Sequence, residues 1–397
     1  MFFTSLKSLP PDSILGLMSA FRQDLNPDKV DLSVGIYRES SGETPVMRAV
    51  RRAEAEIINE QVTKAYIPPI GVEGFRAGVA ELVFGDETNA LQPRTACVQT
   101  VGGCGALRVA GGLYKRAVDK GWAYVSAPTW GNHFGLLGGA GLNITEYPYY
   151  DSEHHALRID QMLNYLRRAP PRSLIVLQVG CHNPSGADPS DTEWDAILDV
   201  IEARSLLPLF DLAYQGMGTS IDADAAPVRK AAKRLSALMV AVSTSKNFGL
   251  YRERTGALLA ITETPSQVEM LESQMQDIAR GMYSMSPAHG ALIVDRILDR
   301  PELRADWRDE LEAMRLRIID LRRQLQAALR TLRPDLDSGW LVEQRGMFSL
   351  LGIDRADIDR LRSEHHIYMV GDSRINIAGL NDHNLDMVAS AIAPLMK

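Results

Sequence analysis

Between residues 96 and 262 the chain alternates short apolar runs with segments of helical pattern, and no other feature narrows its fold as much. The runs are Ala96 to Thr100, Ala123 to Ser126, Asn143 to Tyr147, Leu174 to Val179, Leu207 to Asp211, Leu238 to Ser243 and Gly256 to Ile261. Several are apolar throughout, as strands covered on both faces must be. Helical segments fill most of the gaps. Ser190, with Glu193 three residues on, is a capping box ahead of Trp194, Ile197 and Leu198. Thr264-Pro265 places a cap residue before a proline at the first helical position. This alternation predicts an α/β fold, a large domain whose mainly parallel, seven-stranded sheet is flanked by helices.

From Arg304 to Leu332 the pattern changes. Trp307, Leu311, Met314, Ile318, Leu321, Leu325, Ala328 and Leu332 step by four and three, which predicts one long amphipathic helix, with a coiled coil as the alternative. Arg315, Arg317, Arg322 and Arg323 are interleaved with acids on it and read as a solvated face. Short strand-like runs follow at Met347 to Leu351 and Arg374 to Ala378, then a final helix from Asn381. The expected organisation is an N-terminal arm and part of a small domain over 1–44, a large domain over 45–310 and a smaller α/β domain over 311–397.

Composition excludes several functions. Hydrophobic residues make up 45% of the 397, enough to bury a large core. A net charge of −7 without a basic stripe speaks against nucleic-acid binding. No run of about 18 apolar residues is present, so no membrane span is expected. Met1 to Pro11 is too short and mixed for a signal peptide. Cys97, Cys104 and Cys181 are odd in number and lack metal-ligand spacing, which points to a reducing cytoplasm. The neighbouring pairs His154-His155 and His365-His366 cannot share a face, so no metal site is expected.

In an open parallel sheet, ligands sit outside the carboxyl ends of the strands. Five such ends carry chemistry here. Gly102, Gly103, Cys104 and Gly105 follow the first strand, either as a phosphate cradle at a helix N-terminus or only as a tight turn. Trp130 and His133 follow the second, each also readable as core. Asn183 lies in the HNPSG stretch of 182–186. Asp211 ends an apolar strand and needs a partner, whether a cap, an internal salt bridge or a protonated ring nitrogen. Tyr214 follows it. Lys246 lies just past Ser243, as a solvated loop residue or as an amine whose pKa is lowered by desolvation or by nearby cations such as Arg254.

Taken together, these residues resemble the aspartate and aromatic-amino-acid aminotransferases, of the fold-type I class that uses pyridoxal 5′-phosphate. The likeness is carried by STSKNFGLYRER at 243–254, HNPSG at 182–186, FDLAYQG at 210–216 and PTWGNH at 128–133. It extends to Tyr283-Ser284 with PAHG at 287–290, and to RINIAG at 374–379.

The resemblance implies roles. Lys246 resembles the lysine that holds the cofactor as a Schiff base and then shuttles the proton. Asp211 is similar to the acid that meets the ring nitrogen, with His133 behind it. Tyr214 and Asn183 resemble the groups on the phenolic oxygen, and Trp130 the plate stacked on the ring. Arg254, Ser243, Ser245 and the Gly102-Gly103-Cys104 turn resemble the phosphate set. Tyr66 resembles a tyrosine that reaches the phosphate from the partner subunit of a homodimer. Arg374 resembles the arginine that grips the substrate α-carboxylate, helped by Gly35. Arg280 resembles the arginine that meets a distal carboxylate across the interface. The implied reaction is a ping-pong transfer of the amino group of an aromatic amino acid or aspartate to 2-oxoglutarate, with a strictly dicarboxylate-specific enzyme as the alternative. Intact Lys246, Asp211 and Arg374 oppose a cofactor-free binding protein, and two substrate-binding arginines with an aminotransferase order of blocks oppose a different reaction on the same cofactor.

Two departures stand out. Gly102 and Cys104 sit where the family usually carries hydroxyls, and a thiol is only a weak donor. Met285 and Ser286 replace the Asn-Pro frequent in aspartate-specific members, which tilts the expectation toward aromatic or mixed substrates.

Overall fold

The computed structural model describes residues 2–8 and 13–397. Part of the N-terminal stretch discussed above, residues 1 and 9–12, lies outside them. The sheet has seven strands: β1 (Thr95–Val101), β2 (Trp122–Ala127), β3 (Asn143–Pro148), β4 (Leu174–Gln178), β5 (Leu207–Leu212), β6 (Leu238–Ser243) and β7 (Thr255–Ile261). Their spatial order is β1-β7-β6-β5-β4-β2-β3. All run parallel except β7, which is antiparallel to both β1 and β6. The central strands β4, β6 and β7 are buried at every position, as their continuous apolar runs require. Because β7 runs backwards, its first residue meets the carboxyl ends of its neighbours, Thr255 opposite Val101. Arg254 is thereby delivered to the same edge as the ends of the parallel strands.

The helices start where the local chemistry directs. Ser190 and Glu193 form the reciprocal capping box: Ser190 Oγ accepts the Glu193 N–H at 3.3 Å, and Glu193 Oε2 accepts the Ser190 N–H at 2.7 Å. Thr264 and Gln267 form another, leading through a short 3₁₀ turn into the helix Val268–Tyr283. The final helix begins at Leu385, later than the sequence suggests. Asn381 Oδ1 accepts the backbone N–H groups of His383 and Asn384, a turn that competes with helix. The run from Arg374 stops as a strand at Asn376, whose side chain accepts the Ala378 N–H and opens a 3₁₀ turn.

The long helix runs from Pro301 to Leu332, 32 residues, and packs into the core rather than into a coiled coil. Its inner stripe ends Leu321, Leu325, Leu329, and Leu332 is 46% exposed. Arg322 corrects the solvated reading of that helix. It is 1% exposed and has only carbonyls and one hydroxyl for partners. Its guanidinium donates to the carbonyls of Leu341, Arg345, Gly346 and Phe348 and to Ser349 Oγ. Burial pushes its pKa down to about 10, yet it stays cationic at neutral pH. It thereby pins the turn that presents Phe348. Val30–Asp31 pairs in parallel with Ile367–Tyr368, and Phe348–Leu350 pairs antiparallel with Arg374–Asn376, so the N-terminal segment and the last 50 or so residues pack together. Among the described residues no helix is long and apolar enough to cross a membrane, and no three His, Cys, Asp or Glu side chains are grouped to hold a metal.

Candidate active site

A cavity of about 240 Å³ opens at the carboxyl edge of the sheet. Residues from five strand ends line it: Gly103 and Cys104 after β1, Trp130 after β2, Gln178 and Asn183 at and after β4, Asp211 and Tyr214 at and after β5, and Ser243, Ser245 and Lys246 at and after β6. Arg254 enters ahead of β7. Gly35, Phe348 and Arg374 close it from the other side, joined by Ile14, Leu107 and Tyr251.

The loop carrying Lys246 is held at both ends. Thr244 donates through its N–H and its hydroxyl to the Thr255 carbonyl, at 3.2 and 3.0 Å. Phe248 stacks on Trp307 with centroids 4.4 Å apart, and the Trp307 indole donates to the Asn247 carbonyl at 2.7 Å. Gly249 adopts φ +64°, which closes the turn by a Gly249 N–H to Lys246 carbonyl bond. The Lys246 amine then lies 4.6 Å above the Tyr214 ring. Burial lowers its pKa. Asp211 and Cys104 oppose the shift, while Arg254 and Arg374 add to it.

Asp211 is 7% exposed. Its Oδ2 lies 3.1 Å from Nε2 of the fully buried His133, whose Nδ1 is 2.7 Å from Thr129 Oγ1. Trp130 meets the His133 ring edge-on at 5.5 Å. Asn183 sits at a junction. Its Nδ2 donates to the Tyr214 hydroxyl at 3.3 Å, and its Oδ1 accepts Arg374 Nη1 at 2.9 Å. Behind it His182 is neutral, its pKa pushed by burial down to about 3. That ring lies 3.0 Å from Ser126 Oγ and 2.7 Å from Ser185 Oγ.

Arg374 donates its other terminal nitrogen to the Ser33 carbonyl at 2.9 Å, and its guanidinium lies 4.4 Å over the Phe348 ring. Its Nε is buried without a partner. Asp372, two residues earlier, accepts the Arg374 backbone N–H and not its guanidinium. Arg254 reaches Ser245 Oγ at 3.1 Å and Cys104 Sγ at 3.8 Å. Gly102 begins the helix Gly102–Ala117 at φ +64°, and a Cβ there would come within 2.8 Å of the Arg254 guanidinium. Glycine is thus what lets the backbone N–H groups of the helix start, Arg254 and Ser245 converge. Two guanidiniums with no carboxylate on them, facing a cavity that also holds an amine, suit a ligand with two anionic groups.

Two residues in the sequence-derived set lie elsewhere. Tyr66 is in an irregular segment and 89% exposed. Arg280, near the end of the helix Val268–Tyr283, is exposed on a surface groove with Arg108, Lys115 and Arg116. Asp277, one turn earlier, pairs with Arg116 instead. Sequence reasoning missed Gln178, Phe348, Thr129 and Tyr251. Gln178 had a signal, a polar residue closing an otherwise aliphatic strand. Phe348 had none, because a phenylalanine in a short apolar run looks like core.

The family model described as aminotransferase class I and II matches residues 27–392. An aromatic-amino-acid aminotransferase of Paracoccus denitrificans is 43% identical over 98% of both chains. An aspartate aminotransferase of Escherichia coli is 37% identical over 99% of this chain and all of its own. The solved aromatic-amino-acid aminotransferase of Burkholderia pseudomallei, covalently bound to pyridoxal phosphate, superposes with a TM-score of 0.97 at 40% identity, over the full length of both chains. A family match over most of the length, with full-length relatives well above 30% identity, makes this chain a member of the class I and II aminotransferases.

Proposed function

We propose that the protein is a pyridoxal-phosphate aminotransferase that moves the amino group of an aromatic amino acid or aspartate to 2-oxoglutarate. One observation carries the reading: the half-buried Lys246 and the buried Asp211 carboxylate line one cavity with two guanidiniums, Arg254 and Arg374, that lack carboxylate partners. The residues fit the cofactor. Arg254, Ser243, Ser245 and the N–H groups of the turn at 102–104 would hold its phosphate, and the N–H groups serve although Cys104 offers a thiol in place of a hydroxyl. Trp130 would lie against the ring, Asp211 would meet the ring nitrogen, and Tyr214 with Asn183 the phenolic oxygen. When bound, the cofactor supplies an aldehyde for the amino group and a protonated ring that absorbs the electron pair left by the α-proton.

The chain's own residues do the rest. Lys246, with its pKa lowered by burial, is neutral more often than a surface lysine and so takes the α-proton at Nζ and gives it back. Arg374, its terminal nitrogens fixed by Asn183 and Ser33, binds the substrate carboxylate beside Gly35. Donor and acceptor use this one site in turn, which is a ping-pong order.

We further propose a cytoplasmic homodimer in which Tyr66 and Arg280 complete the site of the partner subunit. Both are exposed and neither lines its own chain's cavity, which suits that role. In the same reading residues 45–310 form the large, cofactor-binding domain, 311–397 the small C-terminal domain, and 1–44 an N-terminal arm and part of the small domain.

The test is a panel of kcat/KM values for aspartate, phenylalanine, tyrosine and tryptophan with 2-oxoglutarate. Activity on aspartate alone selects the dicarboxylate-specific alternative. In the same panel Arg280→Ala is expected to cost aspartate about a hundredfold, the scale of unpairing a partly buried charge, and the aromatic donors far less. Equal losses for both classes would refute the distal-carboxylate role of Arg280.

A further inference from the structure

Gln178 has no part in the roles above, yet it is among the most constrained side chains of the cavity. It closes β4 directly opposite Asp211 of β5 and is 9% exposed. Its carboxamide meets the Asn183 peptide twice: Oε1 accepts the Asn183 N–H at 3.0 Å, and Nε2 donates to the Asn183 carbonyl at 2.9 Å. Nε2 also lies 3.5 Å from Thr129 Oγ1, which leads through His133 to Asp211. Gln178 therefore touches both arms of the site, the one ending on Asp211 and the one ending on Arg374.

We infer that Gln178 is a positioning residue that sets the Asn183 peptide, and through Asn183 Oδ1 the Arg374 guanidinium, for the substrate carboxylate. The inference rests on the function proposed above and deepens it. Residues 179–186 leave the sheet, so the polar groups of the Asn183 peptide have no strand partner and must find one locally. A primary amide is the side chain that offers a donor and an acceptor side by side at every accessible pH. A carboxylate in its place only accepts, and would face the Asn183 carbonyl with no hydrogen between them. Arg374 has just two polar anchors, and Asn183 is one of them. A tilt of the Asn183 peptide therefore loosens carboxylate binding while leaving the Lys246 amine where it is. The charged and titratable groups around the amide are Asp211 on β5, His133 behind it, His182 next to Asn183, and Tyr214, Lys246 and Arg374 across the cavity.

Calorimetric titration of the cofactor-loaded protein with 3-phenylpropionate, a carboxylate that cannot react, tests this between pH 6 and 9. Gln178→Met should weaken binding about tenfold at every pH, the scale of losing buried hydrogen bonds. In Gln178→Glu the introduced carboxyl, its pKa raised by burial and by Asp211, restores a donor when protonated. Binding should therefore approach wild type at the acid end and weaken as pH rises, a recovery that a simple packing defect would not show. Wild-type affinity in Gln178→Met, or a Gln178→Glu profile parallel to that of Gln178→Met, overturns the inference. Arg374→Ala separates the two levels. If it weakens binding about a hundredfold and Gln178→Met does not, only the positioning role fails. If Arg374→Ala binds like wild type, the carboxylate site itself is misassigned and both readings fall.

Discussion

Lys246→Ala is expected to lower turnover of every amino donor by at least about 10⁴-fold, the upper range for removing a positioned acid–base group. The argument starts from the loop. Thr244 bonded to Thr255, and Phe248 stacked on Trp307, fix the backbone on either side of Lys246, and its amine lies 4.6 Å from the Tyr214 ring centre. No other amine lines the cavity. The guanidiniums of Arg254 and Arg374 cannot substitute, because they do not give up a proton near neutral pH. Lys246→Arg is therefore expected to fail nearly as badly although it keeps the charge. The lowered pKa adds a second readout. In the unloaded protein, the pH dependence of Lys246 acylation should show a midpoint below the 10.5 of an ordinary lysine, because burial disfavours the charged form. Full turnover in Lys246→Ala, measured as 2-oxo acid formed, would remove the lysine from the chemistry.

The strands that deliver these groups are legible because burial on both faces leaves aliphatic runs that no amphipathic helix contains. β6 coincides with its sequence reading at both ends, and β1 extends by one residue at each. The reversed direction of β7 is not legible, since Gly256 to Ile261 is equally apolar read either way. Arg322 was misread for a different reason. Its acidic and basic neighbours suggest solvent, but it follows Ile318 by four and precedes Leu325 by three, and so lies along the buried stripe. The charged residues at strand ends could be read singly and in order. The contacts that organise them could not. Asn183 joins Arg374 across 191 residues of chain, and Phe348 covers Arg374 only because Arg322 holds the turn at 341–348. Such partners are set by tertiary packing, which a linear pattern does not encode.

Asp211→Asn should be nearly isosteric and still cost turnover about a thousandfold, the scale of losing a preorganised electrostatic partner in a water-poor site. The carboxylate is 7% exposed, and the one nitrogen bonded to it is His133 Nε2 at 3.1 Å. A buried carboxylate with a single ring partner keeps a second oxygen free for a protonated ring nitrogen of a bound cofactor. An amide there can donate its own N–H to that nitrogen and so favours the unprotonated ring, which attracts electrons poorly. The charge also acts on the lysine. Asp211 holds up the pKa that burial lowers, so the acylation midpoint of Lys246 in Asp211→Asn should shift further down. Asp211→Glu, which keeps the charge but moves it, should recover part of the turnover and leave the Lys246 midpoint close to wild type. These variants separate charge from shape. If the asparagine variant turns over at the wild-type rate, or if it lowers turnover without moving the lysine midpoint, then Asp211 does not act through its charge on this cavity.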